Sequence, residues 1–224
     1  MNSSGSTGHF RRTHGQSPAR PEAGADKRRS GVMTTLLLAR HGETDWNRDG
    51  RWQGHSDTPL NELGRRQARE LAAQLDGLDA LYSSDLARAR ETAEIVAERL
   101  GLEVRTDSRL RERSFGAWEG LTSAEIEDRF AEGHRRWQTG ESFGADDAEP
   151  FDVFAARIHA FLEDVLQQHP GEEVLVISHG GSIRVIHALA AGLDYVRDHR
   201  LIPGVPNCTV SRYTATGGRL AQLE

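Results

Sequence analysis

Apolar residues along the chain come in two kinds of run that alternate. Short unbroken runs, Leu36-Leu37-Leu38-Ala39, Ala80-Leu81-Tyr82 and Val174-Leu175-Val176-Ile177, predict buried strands ending at Arg40, Ser83 and Ser178. The last has no polar alternation, as a central parallel strand requires. Glu103 to Thr106 predicts a weaker strand. Between these, apolar residues recur at helical spacing. Leu63, Leu71 and Leu75 follow a start at Pro59-Leu60-Asn61, and Leu86, Ala89, Ala93, Val96 and Leu100 fill a helix from about Asp85 to Leu100 that Gly101 stops. Ser84 or Asp85 is the expected cap of that helix. Phe151, Phe154, Ile158, Phe161, Leu162 and Val165 mark an amphipathic helix ended by Pro170-Gly171. Gly180-Gly181 opens a helix to about Ala191, and shorter helices are expected near Thr122–Phe130 and His134–Gln138. Residues 45–58, 109–120 and 140–149 read as loops, and Thr209–Tyr213 with Leu220–Leu223 as a final hairpin around Gly217-Gly218.

This alternation predicts one α/β domain over residues 34–224, a three-layer sandwich with a mainly parallel central sheet and helices on both faces. Residues 1–33 are expected to form a disordered tail, because a stretch of Ser, Gly, Arg, Pro and Thr buries too little to offset its ordering entropy. Met33, just before the first strand, is a second candidate start.

Charge and composition narrow the function. The formal charge is −6, and the first 31 residues hold six basic against two acidic residues, so the body is more acidic than the whole. An acidic body argues against general nucleic-acid binding, and any phosphate chemistry must concentrate arginine locally. All basic residues but Lys27 are arginine, which composition bias explains. The single cysteine, Cys208, excludes an internal disulfide or a cysteine zinc cage and fits a reducing, cytoplasmic compartment. No stretch reaches the ~20 apolar residues of a membrane span, so no membrane partner is expected. Nothing in the sequence marks an oligomeric state.

Four loci follow strands: Arg40-His41-Gly42, Ser83 to Thr92 with Arg88, Leu110 to Gly120 with Glu112, and Ser178-His179-Gly180-Gly181. In open α/β sheets ligands bind outside the carboxyl ends of the strands, so the four converge on one edge. Together they make a phosphoryl-transfer site that needs no metal or cofactor. A neutral His41, one ring nitrogen held near Gly42, is the nucleophile. Arg40 and Arg88 offer planar forks to phosphate oxygens, His179 adds a third cationic donor beside a helix N-terminus, and Glu112 moves the proton. Singly, each residue has a plainer reading. The histidines could be satisfied core residues, Arg88 a solvated helix residue, and Glu112 a partner of Arg111 or Arg113.

Leu38 to Asn47 resembles the signature of the histidine phosphatase superfamily, which includes cofactor-dependent phosphoglycerate mutases and many small-molecule phosphatases. The resemblance covers about residues 35–213. It implies that His41 is the phosphorylated nucleophile, that Arg40, Arg88 and His179 complete the phosphate pocket, and that Glu112 is the proton donor. It further implies substrate or phosphate contacts at Asn47, Gln53, Gly54 and Gly180. Mutases of the family follow the acidic residue with His-Tyr-Gly and a lysine-containing segment, whereas this chain has Arg113-Ser114-Phe115-Gly116-Ala117-Trp118-Glu119-Gly120 and no lysine after residue 27. The segment from Thr122 to Pro150 is also short for a mutase lid, and Arg135-Arg136 reads as a surface pair. The expected function is a phosphomonoesterase acting on a small phosphorylated metabolite. The runner-up is a cofactor-dependent phosphoglycerate mutase, and a third reading is a non-catalytic phosphate-binding protein. Trp46, Trp52 and Trp118 are expected to pack loop walls, His187 and His199 to be structural, and Asn207-Cys208 to edge the pocket at most.

Overall fold

A computed structural model of the chain describes residues 33–139, 144–217 and 219–223. Apart from Met33, the expected tail lies outside the described residues, as does part of the 140–149 loop. The strands are β1 (Thr34–Arg40), β2 (Ala80–Ser83), β3 (Val104–Thr106), β4 (Glu173–Ser178), β5 (Val210–Thr216) and β6 (Arg219–Gln222). They form one six-stranded sheet in the order β3-β2-β4-β1-β5-β6. The β3-β2-β4-β1 side is parallel, and the expected hairpin, β5 with β6, adds an antiparallel edge against β1.

The helices are α1 (Asp45–Arg48), α2 (Glu62–Ala73), α3 (Ala87–Leu100), α4 (Ser123–Arg129), α5 (Ala131–Thr139), α6 (Phe151–Gln168), α7 (Gly180–Ala190) and α8 (Tyr195–Asp198). Alternation along each strand divides the core between two faces. Leu36, Leu38, Val174 and Val176 pack with Phe154, Ile158, Phe161 and Ile183 from α6 and α7. Leu37, Ala39, Leu175 and Ile177 pack with Leu71, Ala89, Ala93 and Val96 from α2 and α3. Burial on both faces explains why β1 and β4 carry unbroken apolar runs.

Register brings the strand ends level. Arg40 pairs with Ser178, and Ser83 pairs with Ile177 and Thr106. The residues that follow, His41, Ser84 and His179, therefore leave the sheet at one edge.

Several local expectations are corrected. The stretch after residue 45 is not wholly irregular, because Thr44 and Asn47 close a capping box on α1. Neither Ser84 nor Asp85 caps α3: Leu86 holds the cap position without a side-chain bond, and Asp57 from a distant loop accepts the Ala87 N–H at 2.6 Å. Asp85 instead takes both ends of the Arg111 fork at 2.8 and 2.6 Å. Gly42 does not have a positive φ. Its role is close approach: a Cβ there would lie 2.5 Å from the Gly64 carbonyl, and one on Gly64 would lie 2.1 Å from the Glu43 carbonyl.

This crossing presses the first turn of α2 against the loop behind His41. Gly64→Ala is expected to destabilise the fold by at least ~2 kcal/mol, because backbone rather than a flexible side chain must move. Urea denaturation measures it, and a change under ~0.5 kcal/mol would contradict the crossing.

Candidate active site

His41 follows β1 and is 2% exposed. Its Nδ1 lies 2.7 Å from the Gly42 carbonyl, an acceptor, so Nδ1 carries the proton and Nε2 keeps its lone pair. Burial, then the charges of Arg88 and Arg40, push its pKa well below 6.5, with the Gly42 bond opposing. The imidazole is therefore neutral, the form a nucleophile requires. The strand end is clamped from the loop before β5: Asn207 Nδ2 donates to the His41 carbonyl at 2.8 Å, and the Cys208 N–H to the Arg40 carbonyl at 2.9 Å.

The two arginines are buried differently. Arg88, on the first turn of α3, is 0% exposed and donates from Nη2 to the Gly54 carbonyl and from Nη1 to the Ser56 carbonyl, both at 2.8 Å. Arg40 donates from Nη1 to the Val205 carbonyl at 2.8 Å. The Nε of each is buried without a hydrogen-bond partner. Among the described residues, neither guanidinium has a carboxylate within ion-pair distance. Burial pushes Arg88 down to about 10, against longer-range pull from Glu112 and Asp57, and it lowers Arg40 as well. Uncompensated buried charge is costly, and a site that keeps two such cations is shaped for an anion.

His179 ends β4 and occupies the cap position of α7 without a side-chain capping bond. Its ring lies 5.2 Å from that of His41, and its Nε2 is 2.8 Å from Ser84 Oγ. Ser84 Oγ also accepts the Leu86 N–H at 3.3 Å, and giving its own proton to Nε2 satisfies the hydroxyl and leaves the His179 proton on Nδ1. That Nδ1 is buried with no protein partner. Burial and the charges of Arg88, His41 and Arg40 lower its pKa well below 6.5. The expected third cation is thus a neutral N–H donor.

Glu112 sits opposite. One of its oxygens accepts the Gly181 N–H and the other the Arg113 N–H, each at 2.9 Å. Gly180 is the first residue of α7 and lies on the cavity wall. A Cβ on Gly181 would lie 2.1 Å from the Glu112 carboxylate, so a larger residue there would push that carboxylate aside. Of the remaining expected residues, Gly54 takes part through its carbonyl, Gln53 accepts from Thr58 at 2.8 Å, and Asn47 closes the α1 cap and accepts from Asn207 at 3.4 Å.

Sequence reading missed the supports. Arg157 of α6 donates to the Arg109, Arg111 and Glu112 carbonyls and takes both oxygens of Glu149 at 2.7 and 2.8 Å. Ser178 and Ser182 bind the Leu110 carbonyl at 2.7 and 3.2 Å. The loop carrying Glu112 is therefore tied through consecutive carbonyls. Glu119 accepts from the His55, Ser56 and Phe115 N–H groups at 2.9, 2.8 and 3.0 Å and so holds the loop whose carbonyls grip Arg88. Burial works against the Glu119 charge, but these donors hold its carboxyl below the usual value. Trp118 is buried, Trp46 packs on Gly120 and Trp52 lines a cavity. Burial pushes the Cys208 thiol up to about 12 and keeps it protonated.

A cavity of about 610 Å³ opens from this site, with Arg40, Glu112 and Gly180 on its wall. His199, expected to be structural, lines it too, whereas Arg135 and Arg136 stand exposed on α5 outside it. Residues 36–224 match the histidine phosphatase superfamily (branch 1). The chain belongs to this superfamily. It is 36% identical over 173 residues to phosphoserine phosphatase 1 of Hydrogenobacter thermophilus, covering 72% of this chain and 78% of that protein. It is 35% identical over 184 residues to a probable phosphoglycerate mutase GpmB of an Enterobacter species, covering 80% and 84%. Among solved structures, mycobacterial glucosyl-3-phosphoglycerate phosphatase with VO3 superposes with a TM-score of 0.75 at 32% identity, covering 84% of this chain and 96% of that one. The chain spans about half, 54%, of the mycobacterial proteins that it matches at 36% identity over 196 residues. Among the described residues no helix is long and apolar enough to cross a membrane.

Neutral burial of two histidines has a consequence for this member of the superfamily. The unfolded chain protonates both near pH 6.5, whereas the fold holds both well below it. The unfolded state therefore binds more protons below that pH, and stability falls as pH drops through the window. The urea midpoint is expected to fall between about pH 7.5 and about pH 5.5, and less so in His41→Asn. A midpoint that holds constant over that range would contradict the neutral pair.

Proposed function

We propose that this chain, folded over residues 34–224, is a phosphomonoesterase that hydrolyses a small phosphorylated metabolite through a phosphohistidine on His41. The observation that carries this reading is a neutral, lone-pair-bearing histidine in the field of the buried Arg88 and the half-buried Arg40, neither of which, among the described residues, has a carboxylate within ion-pair distance. His41 Nε2 attacks phosphorus in line with the leaving oxygen. As the P–O bond breaks, the Glu112 carboxyl gives its proton to that oxygen and the alcohol departs. Arg40, Arg88, the His179 Nδ1–H and the Gly180 N–H meet the charge on the remaining phosphoryl oxygens. Water then attacks phosphorus and passes a proton to the Glu112 carboxylate. The N–P bond breaks, inorganic phosphate leaves, and His41 returns to its starting form. Gln53, Gly54 and Asn47 complete the substrate side of the pocket. The chain's own guanidinium groups supply the positive charge, so the reaction runs without metal.

The phosphatase named among its relatives at 36% identity and the solved glucosyl-3-phosphoglycerate phosphatase support hydrolysis. The probable mutase at 35% identity favours a second reading, in which another hydroxyl takes the phosphoryl group. The exposure of Arg135 and Arg136 away from the cavity counts against a mutase-like arginine pair.

Release of inorganic phosphate from a phosphometabolite panel is expected, unaffected by chelator, and His41→Ala is expected to lower kcat/KM about a thousandfold or more. Isomerisation of 3-phosphoglycerate that outpaces phosphate release would establish the mutase reading instead. Full activity in His41→Ala would overturn the phosphohistidine.

A further inference from the structure

The peptide group between Glu112 and Arg113 is held from both sides. A trans peptide is planar, so its C=O and N–H point in opposite directions and turn as one body. The N–H, that of Arg113, donates to the Glu112 carboxylate at 2.9 Å. The C=O, that of Glu112, takes two side-chain donors, Arg157 Nη2 at 2.8 Å and His55 Nε2 at 2.9 Å. A carbonyl only accepts, so the His55 proton lies on Nε2, and the two donors use both lone pairs of that oxygen. Any rotation of this peptide carries the Glu112 carboxylate with it.

Arg157 ties the peptide to α6. His55, half-buried, ties it to a different part of the site. It stands between Gly54 and Ser56, whose carbonyls hold the two terminal nitrogens of Arg88 at 2.8 Å each. Its own N–H donates to Glu119 at 2.9 Å. Glu119 joins the same two loops farther along, at Ser114 and Phe115. The His55 side chain therefore runs directly from the backbone that grips Arg88 to the peptide that aims Glu112.

Phosphoryl transfer gives that link a purpose. Arg88 meets oxygens that stay on phosphorus, and Glu112 serves the oxygen that leaves it. Both belong to one phosphorus atom, so the two groups must keep a fixed separation while the P–O bond breaks. Misplacement by about 1 Å in such an arrangement costs about a hundredfold in rate.

We propose that His55 is a positioning residue that couples the phosphate grip to proton delivery. Its flanking carbonyls set Arg88, and its ring, through the Glu112 carbonyl, sets the carboxyl against the leaving oxygen. The proposal rests on the phosphatase reading, with Glu112 as the proton donor. Because His55 acts through Glu112, its loss falls on leaving groups that need a proton and spares those that depart as stable anions.

Phenyl phosphate and p-nitrophenyl phosphate make the test, because they are alike in shape and phenolate is much the poorer leaving group. The readout is kcat/KM for phenyl phosphate divided by that for p-nitrophenyl phosphate, which cancels any loss common to both. His55→Leu is expected to lower this ratio about fivefold or more. His55→Gln, whose amide nitrogen can reach the same carbonyl, is expected to restore most of it. His55→Asn is polar but too short to reach, so it is expected to follow His55→Leu, and it carries the test if the leucine variant does not fold. In a Glu112→Ala background no acid remains to be aimed, and a further change at His55 is expected to leave the ratio where it was. A wild-type ratio in the leucine and asparagine variants overturns the proposal. So does a fall of the same size when Glu112→Ala is already present. A wild type that hydrolyses neither ester fails the phosphatase reading itself, and a Glu112→Ala protein with the wild-type ratio fails the proton donor; the proposal falls with either.

Discussion

Two guanidinium groups buried without a carboxylate are the constraint around which this protein is built. Removing a charge from water costs several kcal/mol even after relaxation, and pairing normally offsets it. Arg88 is fully enclosed and Arg40 half-buried, and carbonyl partners orient both but leave their charge in place. The same two charges, together with burial, keep His41 and His179 neutral. One electrostatic decision thus prepares both the anion site and the nucleophile. Burial, helped by the positive field that attracts a phosphoryl group, keeps the proton off the imidazole that attacks it.

Holding these groups in place is the task of the fold. Level register at the ends of β1, β2 and β4 delivers His41, Ser84 and His179 to one edge. Each reactive group is then fixed by a contact far away in sequence. Asn207 takes the His41 carbonyl, Ser84 the His179 ring, Glu119 the loop that grips Arg88, and Arg157 the loop that carries Glu112. Most of these run from a side chain to backbone, so they set loop position to within a hydrogen bond. Misplacement of that order in a supporting shell is enough to degrade a catalytic site.

Much of this was legible in the chain because parallel strands buried on both faces must be apolar throughout. The runs at Leu36 to Ala39 and Val174 to Ile177 located the sheet, and the residues just past them located Arg40, His41 and His179. Helical spacing gave α3 and with it Arg88. The supports were not legible, since nothing local distinguishes Arg157 or Glu119 from solvated helix and loop charges. Their partners are carbonyls that become neighbours only after folding. The same holds for Asp57, which caps α3 from outside it, and so displaced Ser84 and Asp85 to other work. Gly42 serves a backbone crossing with Gly64, which no local pattern encodes.

If the buried arginines exist for a phosphoryl dianion, the anion must return the stability that their burial costs. Thermal unfolding with and without inorganic phosphate measures this directly, compared between the wild type and Arg88→Met. Phosphate at about a hundred times its dissociation constant is expected to stabilise the wild type by about 2.7 kcal/mol and the variant by far less. A wild-type melting temperature indifferent to phosphate, or an equal rise in both proteins, would contradict it.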